Sequence, residues 1–124
     1  MEAPEVYREL CDSERQLLER LLEARFPGRD EIAEQIRTCL VKTLDEHGCL
    51  EFFVRSHTNA AVDQRVPVEA EACDEEGNKI HMLLHVINGR INELEFYTES
   101  GAAIKRLPSA NEWELIVLPP PPRL

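Results

Sequence analysis

The side chains best suited to chemistry in this sequence are two alternating pairs of carboxylates, Glu69 with Glu71 and Glu93 with Glu95, and two histidines, His81 and His85. Paired carboxylates can divide acid and base roles when a pocket separates their proton affinities. Alternation with apolar neighbours, as in Val68-Glu69-Ala70-Glu71-Ala72, is the pattern of a sheet with one wet face. A wet face presents charge to a partner, so Glu69, Glu71, Glu93 and Glu95 are expected partner-binding residues, with Tyr97 and Trp113 as aromatic anchors. His81 and His85 share one face of a strand, where four residues span ~13 Å. That is too far for both rings to hold one ion unaided, so no metal is expected. The favoured use of His85 is a hydrogen bond across a strand pair, near Asn92. No Gly-x-Ser-x-Gly elbow, phosphate loop or dinucleotide fingerprint occurs, and neither a catalytic nucleophile nor a cofactor is expected. Cys11, Cys39, Cys49 and Cys73 stand far apart without a Cys-x-x-Cys pair, which reads as reduced thiols, mostly buried.

These residues are positioned by a hairpin. Asn88-Gly89 joins two β-rich runs, Ile80 to Ile87 and Arg90 to Tyr97, and a type I′ turn needs the positive φ that Asn tolerates and Gly prefers. Strict antiparallel register places Val86 opposite Ile91, His85 opposite Asn92 and Leu84 opposite Glu93. One face then holds His81, Leu83, His85 and Ile87 beside Asn92, Leu94 and Phe96. The other holds Ile80, Met82, Leu84 and Val86 beside Ile91, Glu93, Glu95 and Tyr97. The first strand is apolar on both sides and is expected to be central in its sheet.

Around this hairpin the chain reads as helix, helix and then strands. Ser13-Glu14-Arg15-Gln16 has capping-box spacing ahead of Leu17, Leu18, Leu21 and Leu22, which predicts an amphipathic core helix. Pro27-Gly28 is expected to stop it, and Asp30 to cap a second helix with Ile32, Ala33 and Ile36 inward. A first hairpin is predicted over Cys39 to Leu44 and Cys49 to Val54, and a third strand over Val66 to Ala72. Short strands follow around Ile104 to Leu107 and Trp113 to Leu118. The stretch from Ser56 to Arg65 has no period and is the longest irregular segment. The expected architecture is α+β: two N-terminal helices packed on one face of a mostly antiparallel meander sheet of five to six strands. It forms a single domain over residues 1–118, with a proline-rich tail over 119–124.

Length and charge bound the function. A chain of 124 residues with 43% hydrophobic content has room for one core. No apolar run approaches the ~20 residues of a membrane span, and the acidic start Met1-Glu2-Ala3-Pro4-Glu5 is unlike a secretory signal, so a soluble cytoplasmic protein is expected. The formal net charge is −10, from 24 acidic and 14 basic side chains, with the basic ones scattered singly. That distribution excludes a phosphate-binding stripe and argues against a nucleic-acid partner. It complements a basic protein.

The segments Arg8-Glu9-Leu10 through Gly28-Arg29-Asp30, Val66-Pro67-Val68-Glu69-Ala70, and Leu84-His85-Val86 through Glu95-Phe96-Tyr97 resemble a family of small bacterial proteins known only as a domain of unknown function. The resemblance covers most of the chain and rests on structural motifs, so it implies a fold and brings no catalytic residues. The expected function is therefore that of a small acidic binding protein, an immunity-type inhibitor that occludes a basic toxin or nuclease. An alternative is a small-ligand module or small enzyme, with a pocket between sheet and helices around His81, His85, Asn92 and the segment Ser56 to Arg65. Both monomer and homodimer fit, the latter through a strand edge or the Trp113 segment.

Overall fold

A computed structural model describes residues 4–117. Two helices, α1 (Asp12–Leu21) and α2 (Arg29–Thr38), precede six strands: β1 (Leu40–Thr43), β2 (Leu50–Phe53), β3 (Glu69–Cys73), β4 (Lys79–Ile87), β5 (Arg90–Thr98) and β6 (Glu114–Ile116). The strands form one antiparallel sheet in the order β1-β2-β5-β4-β3-β6. This is the expected α+β architecture, with β4 in the interior of the sheet. No helix among the described residues is long and apolar enough to cross a membrane. The proline-rich tail lies outside the described residues.

The core joins Leu17, Leu18 and Leu21 of α1 and Ile32 and Ile36 of α2 to Val41, Leu50, Ala70, Ile80, Met82, Leu84, Ile91, Leu94 and Phe96 of the sheet. Both helices therefore cover the sheet face that carries the even-numbered residues of β4, and the opposite face is open.

Local chemistry shifts the helix ends from the expected positions. Helix α1 is capped two residues earlier than Ser13, at Cys11, whose amide donates to the Glu14 carboxylate at 3.0 Å. That carboxylate also takes both ends of the Arg8 guanidinium at 2.8 Å, which fixes the entry of the chain. Gly28 does not end α1, which stops at Leu21; it is the N-cap of α2, with φ of +87°, and Asp30 lies inside the first turn. A side chain at Gly28 would meet Cγ1 of Val62 at 2.9 Å, so the glycine is required by the turn and by the neighbouring segment together.

The irregular segment between β2 and β3 crosses the end of the sheet at the tip of the β4–β5 hairpin. It is pinned there. The buried amide of Gln35, 0% exposed, donates to the carbonyls of Thr58 at 2.7 Å and Gly89 at 2.8 Å and accepts the amide of Ile91 at 2.9 Å. Arg90 donates to the carbonyls of Val54 and Ser56, and Ala60 is buried. This buried glutamine carries three of the contacts that hold helix, crossover and hairpin together, as a satisfied buried polar group must.

Two further segments depart from expectation. Ile104 to Leu107 forms no strand, and β3 starts at Glu69, after Val66 and Pro67. The closing strand β6 adds to the outer edge of β3, led there by Trp113. That indole is 1% exposed, its ring 6.1 Å from Phe96, its N–H donating to the Pro108 carbonyl at 3.1 Å. Arg20 of α1 donates to the Trp113 carbonyl at 2.9 Å and 3.2 Å. Trp113 is thus a core residue held by α1, and the expectation that it anchors a partner at the surface is corrected.

Candidate functional site: the open face of the sheet

The β4–β5 hairpin turns at Asn88 and Gly89, with φ of +52° and +78°, as the dipeptide dictates. Ile87 pairs with Arg90 and Val86 with Ile91, but the register then shifts, and His85 pairs with Glu93. Asn92 is the extra residue of a β-bulge. Every pair beyond it differs from strict register: Leu84 faces Leu94, Leu83 faces Glu95, Met82 faces Phe96 and His81 faces Tyr97. The cause is burial. The bulge delivers Leu94 and Phe96 to the core beside Leu84 and Met82, where strict alternation would put Glu93 and Glu95.

The consequence for the site is large, because the bulge moves the acidic residues onto the same face as the histidines. Three cross-strand rows cover that face. The first runs Lys42, Glu51, Glu93, His85. A second contains Glu95, Leu83, Glu69 and Ile116, and the third Tyr97, His81, Glu71 and Glu114. Of the expected residues, Glu69, Glu71, Glu93, Glu95, Tyr97, His81 and His85 are brought together here. Asn92 and Trp113 are not. Glu51 and Glu114 join the face although sequence reasoning passed over them; their alternation in Leu50-Glu51-Phe52 and Trp113-Glu114-Leu115 was the available signal.

Both histidines are bound to carboxylates. Arg65 donates to Nδ1 of His85 at 3.3 Å, which places the ring proton on Nε2, and Nε2 donates to Glu95 at 2.8 Å. His85 does not reach Asn92 as expected, because the bulge puts Glu93 opposite it. His81 pairs through Nε2 with Glu99 at 2.8 Å and stacks on Tyr97, with ring centroids 4.7 Å apart and planes 16° from parallel. Burial, then the carboxylates of Glu69, Glu95 and Glu99, push the Tyr97 phenol above its usual range. On β2, beside the edge strand β1, Glu51 accepts the Tyr7 hydroxyl and lies 3.5 Å from Lys42. The Tyr7 hydroxyl holds the Glu51 carboxyl below the usual range against the opposing effect of burial, and Lys42 adds to the lowering.

The expected pocket between sheet and helices around His81, His85 and Asn92 is corrected by this geometry, since both histidines lie on the face away from the helices. A cleft of about 370 Å³ does open between α1 and the sheet, but neither histidine nor Asn92 lines it: Leu17, Leu50, Leu94 and Phe96 do, with Glu14 and Gln16 of α1 among its polar residues. Among the described residues no group of three or more His, Cys, Asp or Glu side chains is arranged to hold a metal ion. Cys39 and Cys49 are buried, which pushes both thiols up to about 11 and away from thiolate chemistry, whereas Cys11 and Cys73 are exposed, against the expectation that the thiols are mostly buried.

Fold and face together define an α+β protein with helices on one side of an antiparallel sheet and an open carboxylate-rich surface on the other. The chain belongs to the family described as Domain of unknown function (DUF6984), whose model matches residues 7–108. That span holds every residue of the three rows except Glu114 and Ile116. No curated protein matches the chain, and no solved structure does.

Proposed function

We propose that this chain is a small acidic binding protein that docks its open sheet face on a basic protein, as an immunity-type inhibitor occludes a toxin or nuclease, and that it does so in the cytoplasm. The observation that carries the reading is the composition of that face. Six glutamates stand on this face, Glu51 on β2, Glu93 and Glu95 on β5, and, beyond β4, Glu69 and Glu71 on β3 and Glu114 on β6; Glu51 lies directly opposite Glu93. Like charges directly opposed on neighbouring strands destabilise a sheet. Of the six, Glu69, Glu93 and Glu114 form no ion pair among the described residues. A partner that supplies the missing cations relieves this repulsion, and complementary potentials steer its association.

Co-expression with neighbouring gene products, with capture of the tagged chain at low and then moderate salt, tests the reading. A stoichiometric basic partner is expected, and the double variant Glu93→Lys/Glu95→Lys is expected to lose it through slower association while remaining folded. Equal capture by the double variant removes this face from consideration.

A further inference from the structure

On the helix side of the sheet, the segment between β5 and β6 leaves a gap against α1 that docking of the open face does not use. Leu107 and Pro108 form one wall of the cleft of about 370 Å³, Leu17 of α1 forms another, and Leu50, Leu94 and Phe96 are its floor. Leu107 reaches the β1–β2 turn, where a side chain at Gly48 would touch its Cδ1 at 3.4 Å. The segment is anchored on its far side. Lys105 pairs with Glu76 at 3.2 Å and Arg106 with Glu75 at 2.9 Å, both carboxylates belonging to the β3–β4 turn, and the Trp113 indole donates to the Pro108 carbonyl. Among the described residues, no main-chain hydrogen bond ties residues 103–107 to α1 or to the sheet. The anchors therefore hold the segment toward β3, nothing draws it down onto α1, and the cleft stays open. Charge at the cleft is already neutralised. Glu14 is the one ionisable residue lining it among the described residues, and its carboxylate takes both ends of the Arg8 guanidinium and the Cys11 amide. The remaining polar side chains are neutral: Ser13, Ser109 and Gln16, whose amide has no hydrogen bond among the described residues.

We infer that this cleft binds an uncharged, largely apolar small molecule, with its one hydrogen-bonding group at the mouth beside Gln16. The site shares no residue with the corrected pocket around the histidines, and it is independent of docking on the open face. Its volume lies in the range of ligand sites, and apolar walls with a few polar groups at one end fix the orientation of such a guest. A carboxylate or an ammonium would leave water there without a free countercharge, which disfavours ligands of either sign. A neutral guest meets no such cost, since an apolar cavity that holds no water well is filled by apolar molecules.

The test titrates the intact chain with 2-naphthol, and with 2-naphthoate and 2-naphthylmethylammonium, which keep the ring and add a charge of either sign. Methyl NMR is expected to show 2-naphthol shifting Leu17, Leu50, Leu94 and Leu107, with both charged compounds binding about tenfold more weakly. Gln16 is exposed, so Gln16→Ala leaves the core intact. It is expected to weaken 2-naphthol about threefold and to leave naphthalene unchanged. Equal affinity for a charged compound overturns the ligand class. Shifts confined to residues outside the cleft, or none up to the solubility of 2-naphthol, overturn the site, and an unchanged 2-naphthol affinity in Gln16→Ala overturns the contact at the mouth. The comparisons on the wild type need no substitution, and none of these outcomes bears on the open face, whose own test is capture of a basic partner.

Discussion

The side-chain carbonyl of Gln35 accepts the main-chain N–H of Ile91 at 2.9 Å, tying the middle of α2 to the start of β5. The same amide donates to Gly89 and Thr58, so one side chain satisfies three main-chain groups from two separate segments. Gln35→Met fills the space but leaves those groups without partners in a buried place. The expected loss is about 3 kcal/mol, read as a lower urea midpoint. Faster hydrogen exchange at the Ile91 amide should accompany it. A midpoint within error of wild type would mean that the contacts are replaced by water.

Gly89 and Gly101 share a φ of +78° but differ in surroundings, which separates two costs of a side chain. A Cβ at Gly101 meets nothing within 4 Å, whereas at Gly89 it meets the Ala60 carbonyl oxygen at 3.0 Å and Cβ of Asn59 at 3.2 Å. Gly101→Ala is expected to cost about 1 kcal/mol from the left-handed backbone alone. Gly89→Ala adds crowding of about 1–3 kcal/mol, and it should also loosen the crossover at Ala60. Equal unfolding midpoints for the two variants would contradict the close approach of crossover and hairpin.

The Tyr97 phenol is raised by burial and by the carboxylates of Glu69, Glu95 and Glu99, so its titration reports the field of the open face. A folded-state value above the unfolded one contributes stability that is complete below the unfolded value, about 10, and is lost as pH rises through the folded one. Stability should therefore decline through the alkaline range. In a Tyr7→Phe background, spectrophotometric titration isolates Tyr97. Glu69→Gln/Glu95→Gln is expected to bring its ionisation to lower pH, as is added salt. No movement in either case would mean that burial alone sets the shift.

Much of the fold was legible because its strongest signals are local. Asn88-Gly89 demanded its turn, the leucines of α1 their helix, and the alternation of β3 its two faces. The register of β5 was harder to read, because a bulge is chosen by what the sheet buries rather than by the residue that bulges. The trace was nonetheless present. Ile91, Leu94 and Phe96 are apolar at a spacing of three and then two, a break in the strand period that strict alternation cannot accommodate without sending Glu93 and Glu95 into the core. Trp113 was misplaced for a different reason. An aromatic between polar neighbours near the chain's end reads as exposed, and its burial depends on contacts from Arg20 and Phe96, far away in sequence. Gln35 left no signal, since a glutamine on a short helix looks solvated until the hairpin tip arrives over it.

Asn92 has one more consequence, for how such a chain can change length. Because the extra residue of the bulge is exposed and unpaired, its removal would leave Ile91 followed by Glu93 and restore plain alternation with β4. Every side chain from Glu93 to Tyr97 would stay on its present side. A one-residue deletion placed between Leu94 and Phe96 would instead exchange inside for outside along the rest of the strand. Position 92 is thus where relatives of different length can differ by a single residue without disturbing either the core or the charged surface.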